Sequence, residues 1–130
     1  MRKLACAVLV VLAALVVLFP AGLARAAETE RILSFDSIVT VARNSTLTVE
    51  ERITVVSAGI DIQHGIYRDF PTTYTDPESG RTTRVAFRVQ GVTRDGGTEP
   101  WHTGKLSNGV RVYIGSASVD LLPGVHTYVL

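Results

Sequence analysis

The sequence predicts an all-β protein: an antiparallel β-sandwich, immunoglobulin-like or related, preceded by a signal-peptide helix. Three observations carry this expectation. From Ile32 onward apolar residues recur with a period of two. Clusters of Gly, Pro, Asn, Asp and Ser interrupt the alternation at short intervals. Beyond the first two dozen residues, no window carries the 3.6-residue apolar period of an amphipathic helix.

The chain opens with Met1, Arg2 and Lys3, then runs without a polar residue from Leu4 to Phe19. Pro20 and Gly22 break the run, and Ala24-Arg25-Ala26 places small residues at alternate positions. This is the layout of a secretory signal peptide over 1–26, with cleavage expected after Ala26. As a helix, Leu4 to Phe19 reaches only about 24 Å, short of the ~30 Å apolar core of a bilayer. The expected location is therefore outside the cytoplasm, on the extracytoplasmic side of the cell membrane. A single domain is expected over 27–130.

The strands follow in order. Leu33, Phe35, Val39 and Val41 share one parity. After the polar Arg43-Asn44-Ser45, Leu47, Val49, Ile53 and Val55 alternate with Thr48, Glu50, Arg52 and Thr54. The pair reads as a β-hairpin with one buried face. Glu51 falls on the apolar parity, which predicts a bulge or strand end beside it. Gly65 to Tyr74 is aromatic-rich and closes on Asp76-Pro77-Glu78-Ser79-Gly80, a turn. Val85, Phe87 and Val89 predict another strand, and Asp95-Gly96-Gly97 a turn. Glu99 to Thr103 carries Trp101. Ser107-Asn108-Gly109 predicts a turn with positive φ. Val110, Val112 and Ile114 form the next strand, and Val125 to Leu130 the last. About seven strands are expected. The final alternation contains no turn, so the sandwich is expected to be incomplete at its C-terminus.

Composition narrows the function classes. Cys6, the one cysteine, lies in the signal segment, which leaves no thiol for a disulfide, a nucleophile or a zinc site after cleavage. Removing Arg2, Lys3 and Arg25 from the 13 basic residues leaves ten against 12 acidic ones, without a basic stripe, so nucleic acid is not an expected partner. His64, His102 and His126 are scattered over separate turns and strands, unlike metal ligands. No Gly-x-Ser-x-Gly elbow is present. Asp76-x-Glu78-x-Gly80 lacks the remaining positions of a calcium loop and reads as a hairpin turn. Asn44-Ser45-Thr46 is a glycosylation sequon on a predicted turn. No cofactor is implied.

Tyr67-Arg68-Asp69 attracts more interest. On a strand, Arg68 and Asp69 point to opposite sides, so one charge faces inward and needs a partner. A structural ion pair is the expected outcome. Aromatic and Arg side chains anchor interfaces, so Tyr67, Arg68, Asp69, Trp101 and His102 form the candidate binding surface.

Several motifs together resemble one family. Gly65-Ile66-Tyr67-Arg68-Asp69-Phe70-Pro71, Glu99-Pro100-Trp101, Leu106 to Gly115 and Pro123-Gly124-Val125-His126-Thr127-Tyr128 resemble, in order and spacing, the bacterial predicted membrane proteins of domain of unknown function 2207. The resemblance runs from about Glu30 to the end. It implies an exported β-rich N-terminal domain, attached to the membrane through later helices that this sequence does not contain. It brings no reaction and no catalytic residues. Leu121-x-Pro123-Gly124 before Tyr128 also resembles the tyrosine corner of β-sandwiches. The leading expectation is a non-catalytic binding, sensing or structural ectodomain, with a protein or cell-envelope partner. The alternatives are a hydrolase of envelope polymer using Asp69 with Glu99 or His102, and an assembly part completed by a partner strand.

Overall fold

A computed structural model describes residues 29–130. The signal segment 1–26 and Cys6 lie outside the described residues. Ten strands follow one another without a helix among the described residues: β1 (Arg31–Val41), β2 (Leu47–Ser57), β3 (Gly65–Pro71), β4 (Thr73–Thr75), β5 (Thr82–Arg84), β6 (Thr93–Arg94), β7 (Gly97–Thr98), β8 (Trp101–Lys105), β9 (Gly109–Gly115) and β10 (Gly124–Val129). The expected all-β class is borne out, with ten strands among the described residues where about seven are expected.

The strands form an antiparallel sheet of order β1-β2-β10-β6-β7, a second of order β3-β9-β8, and the small hairpin β4-β5. The two larger sheets share one core. Ile53 and Val55 of β2 and Tyr128 of β10 meet Val112 and Ile114 of β9, with Val92 between the elements and Ile66 and Phe70 of β3 packed alongside. Period-two alternation places these side chains on one face of each sheet, which makes the pair a sandwich.

The β1-β2 hairpin forms at the expected place, with Ser45 at φ 65° in its turn. Its expected buried face is realised only in part. β1 is exposed at every position, and β2 is exposed from Leu47 to Glu50 and buried at Glu51 and Ile53. The facing sheet covers only the second half of β2. The bulge expected near Glu51 lies instead in β1, between Ile32 and Ser34. Glu51 remains in regular register because Arg68 reaches across from β3 and donates Nε and Nη2 to its two oxygens, at 2.6 and 2.8 Å. A carboxylate only 6% exposed is tolerated on the core parity when it is paired in this way.

Two further expectations are corrected. The strand through Val85, Phe87 and Val89 does not form. Among the described residues only Thr82–Arg84 of this stretch pairs, and residues 86–90 run beside the core without a ladder partner. Asn108-Gly109 makes the expected turn without positive φ. Gly109 instead opens β9, and a Cβ there would stand 2.1 Å from the Phe70 carbonyl oxygen. The turn at Asp95-Gly96 is as expected, with φ of 52° and 84° joining β6 to β7. The Asp76 turn joins β4 to β5, with Asp76 accepting from the Glu78 and Ser79 amides and the Ser79 hydroxyl. The tyrosine corner does not form. The Tyr128 hydroxyl is buried without a hydrogen-bond partner among the described residues, and burial pushes its pKa up to about 12.

Candidate functional site

Alternation sorts the five sequence-predicted surface residues onto two faces. In β3, Ile66, Arg68 and Phe70 turn to the core side, while Tyr67 and Asp69 turn to solvent. In β8, Trp101 shares the inward parity of its partner Ile114, and His102 shares the outward parity of Tyr113. The structure therefore unites Tyr67, Asp69 and His102 on the outer face of β3-β9-β8. It places Arg68 on Glu51 at the core side. Trp101 stays 39% exposed at the inward edge of its sheet.

Two residues of β9 complete the outer face. Tyr113 lies directly opposite both Tyr67 and His102, and Arg111 lies opposite Asp69. Arg111 donates Nε and Nη2 to the two Asp69 oxygens at 2.6 and 2.7 Å. Its guanidinium sits 4.1 Å from the Tyr67 ring centroid. His102 stacks on Tyr113 at 4.8 Å and 11°, and Tyr67 meets Tyr113 at 6.5 Å. The result is a row of three rings and one bidentate ion pair across three hydrogen-bonded strands. Arg111 and Tyr113 are absent from the sequence-predicted surface. The alternation Arg111-Val112-Tyr113-Ile114 carries the signal that would find them, because an inward Val112 and Ile114 put both neighbours outside.

The row borders an open groove of about 390 Å³, lined also by Ile60, Asp61 and Gln63 to Ile66 and by Ser116 and Ala117. Gly65 and Gly115 face each other on its floor, at φ of 137° and 114°. A Cβ on Gly115 would stand 1.9 Å from the His64 carbonyl oxygen, so the two backbones meet only as glycines. The Glu30 carboxylate shapes the loop above. It accepts hydrogen bonds from the amides of Ala58, Ile60, Asp61 and Ile62 at 2.7–3.1 Å. Desolvation pushes its pKa up, and the four amides outweigh that and bring it down to about 2.

Electrostatics limit what Asp69 can do. Its hydrogen bonds to Arg111 hold its carboxyl below the usual range, which keeps it ionised rather than poised as a general acid. Glu99 is buried against Arg94, 3.0 Å from its Nε. No hydrogen bond joins Asp69 to Glu99 or His102 among the described residues. His64 reaches the Val119 carbonyl and Asp120, and His126 bridges Asp95 and the Leu122 carbonyl. Among the described residues, no three His, Cys, Asp or Glu side chains gather as a metal-ligand set. No helix among them is long and apolar enough to cross a membrane.

Comparison with known proteins places these features in a wider set. A family model described as "Predicted membrane protein (DUF2207) N-terminal domain" matches residues 31–130. Uncharacterized protein YciQ of Escherichia coli (strain K12) is 37% identical over 73 residues, 56% of this chain. The match spans only 11% of that relative's length. No solved structure matches the chain.

Proposed function

We infer the role of this domain from one premise: the chain belongs to the DUF2207 family of predicted membrane proteins and carries its N-terminal domain. The reading is a non-catalytic binding ectodomain, exported by its first 26 residues and held at the extracytoplasmic side of the membrane. One observation carries it: Tyr67, Asp69, His102, Arg111 and Tyr113 stand together on the solvent face of the β3-β9-β8 sheet, beside a groove. Tyr67 and Tyr113 keep 58% and 39% of their surface open. Aromatic rings flanked by an oriented guanidinium-carboxylate pair suit a ligand with apolar faces and hydroxyl edges, as a cell-envelope glycan has. Asp69 committed to Arg111 and Glu99 buried on Arg94 favour binding over hydrolysis.

The test is retention of the detergent-purified full-length protein on isolated peptidoglycan sacculi. Tyr67→Ala and Tyr113→Ala are expected to lower retention about tenfold, while Ile38→Ala on the β1-β2 hairpin leaves it unchanged. Equal retention of all variants overturns the glycan-binding reading. Release of soluble fragments from the sacculi overturns the non-catalytic one. Protease added to intact spheroplasts is expected to remove the domain, and full protection would place it on the wrong side.

A further inference from the structure

A wider open volume than the groove beside the aromatic row lies away from that row. A trough of about 670 Å³ separates the first half of β2 from residues 86–91, with Val49, Phe70, Phe87, Val89 and Leu130 among its walls. Among the described residues, its β2 wall has an unpaired edge. Ala42 donates to the Thr46 carbonyl, so even-numbered residues of β2 turn their backbone groups toward β1. Odd-numbered residues turn theirs to the other side, where Glu51 exchanges both bonds with Leu130 at 3.0 and 3.2 Å. The next two odd positions, Val49 and Leu47, face the trough, and among the described residues β10 and the Leu130 that follows it reach β2 from Ser57 no further than Glu51. The opposite wall, residues 86–90, has the apolar alternation of a strand and no ladder partner among the described residues. Above both walls the core-facing side of the hairpin stays bare, with Val39 and Val41 55% and 69% exposed.

We propose that this trough is a strand-acceptor slot, and that its occupant is one extended segment of the full-length protein's own polypeptide, running antiparallel to β2 along Leu47–Val49. The vacant ladder positions set its direction, and the walls set its pattern: apolar side chains at alternate positions, turned toward Phe70 and Phe87. The source is local. Polypeptide continuing β10 in its present register meets Val49 and then Leu47, without any loop to close. The family provides such polypeptide, since the model matched over 31–130 is that of an N-terminal domain and the relative YciQ is matched over only 11% of its length. The proposal is independent of the glycan reading, because the aromatic row lies on the opposite face of β3-β9-β8.

Single cysteines placed in the full-length protein, in a background with other cysteines replaced, test it. Val49→Cys points into the slot, and Asp36→Cys lies on the hairpin's outer face. Both positions are exposed among the described residues, Val49 at 43%. In the full-length protein Val49→Cys is expected to react with a soluble maleimide at least about tenfold more slowly than Asp36→Cys. Amide exchange of Leu47 and Val49 in the unsubstituted protein gives the same readout where the variant misfolds, and slow exchange is expected. Equal labelling and fast exchange overturn the proposal. So does protection that appears in the 130-residue chain only as it dimerises, which assigns the slot to a second copy.

Discussion

Among single residues, Glu51 is the buried charge on the core face of β2. Its side chain is buried on a core parity, and both oxygens are satisfied by Arg68. Removing one partner of such a pair strands the other charge, whereas replacing both with apolar groups removes the penalty. Arg68→Ala is therefore expected to lower unfolding stability by about 3 kcal/mol. The double variant Arg68→Leu with Glu51→Leu recovers most of that loss, as urea titration will show. Glu30 acts through pH. Its folded-state pKa is about 2 against an ordinary 4.5, so its hold on the loop is complete above 4.5 and is lost as pH falls toward 2. Amide exchange at Asp61 and Ile62 should accelerate across that window, and Glu30→Gln should abolish the dependence. Asp69 and Arg68 show how far sequence reaches at this scale. Alternation demands that they part, yet which faces the core depends on Glu51, 17 residues away.

The β1-β2 hairpin is one element with two environments. Ile53, at 2% exposure, meets the second sheet, while Leu47 and Val41 keep 61% and 69% of their surface. Deleting a buried aliphatic side chain removes contacts and leaves a cavity, and an exposed one has neither to lose. Ile53→Ala is expected to cost about 2–5 kcal/mol, and Val41→Ala less than about 0.5 kcal/mol, by denaturant unfolding. A second element-scale constraint lies where β3 and β9 cross Gly65 and Gly115. Gly115→Ala drives a Cβ into the His64 carbonyl at positive φ. It is expected to cost at least about 2 kcal/mol and to lower retention on sacculi, since the groove floor lies there. The failed strand at Val85 to Val89 belongs here too. Its alternation is legible, but a strand needs a neighbour to bond, and among the described residues that neighbour is absent.

For the whole molecule, stability is unevenly placed. The two-sheet core gathers at Val112, Ile114, Tyr128 and the inner half of β2, and the outer half of the hairpin stands clear of it. Backbone bonds without tertiary cover open readily. Amides from Val39 to Leu47 are therefore expected to exchange much faster than those from Ile53 to Ser57 in the 130-residue chain. Uniform protection along the hairpin would contradict this division. The same division separates two surfaces: a polar-aromatic row on the outer side of β3-β9-β8, and an apolar trough on the inner side beyond β2.

By itself, the sequence determined what local chemistry can encode. Period-two alternation set the all-β class, and Asp95-Gly96 and Asp76 to Gly80 set two of the turns. The motifs from Gly65 to Tyr128 set the family. Only the tertiary structure decided which parity of each strand is covered and which charges meet. Arg111 joined Asp69, and Tyr113 joined His102, through strand register between segments some 40 and 11 residues apart. Alternation marks two faces of a strand without saying which will be buried. That choice belongs to the opposing sheet, and it divided Tyr67, Asp69 and His102 from Arg68 and Trp101.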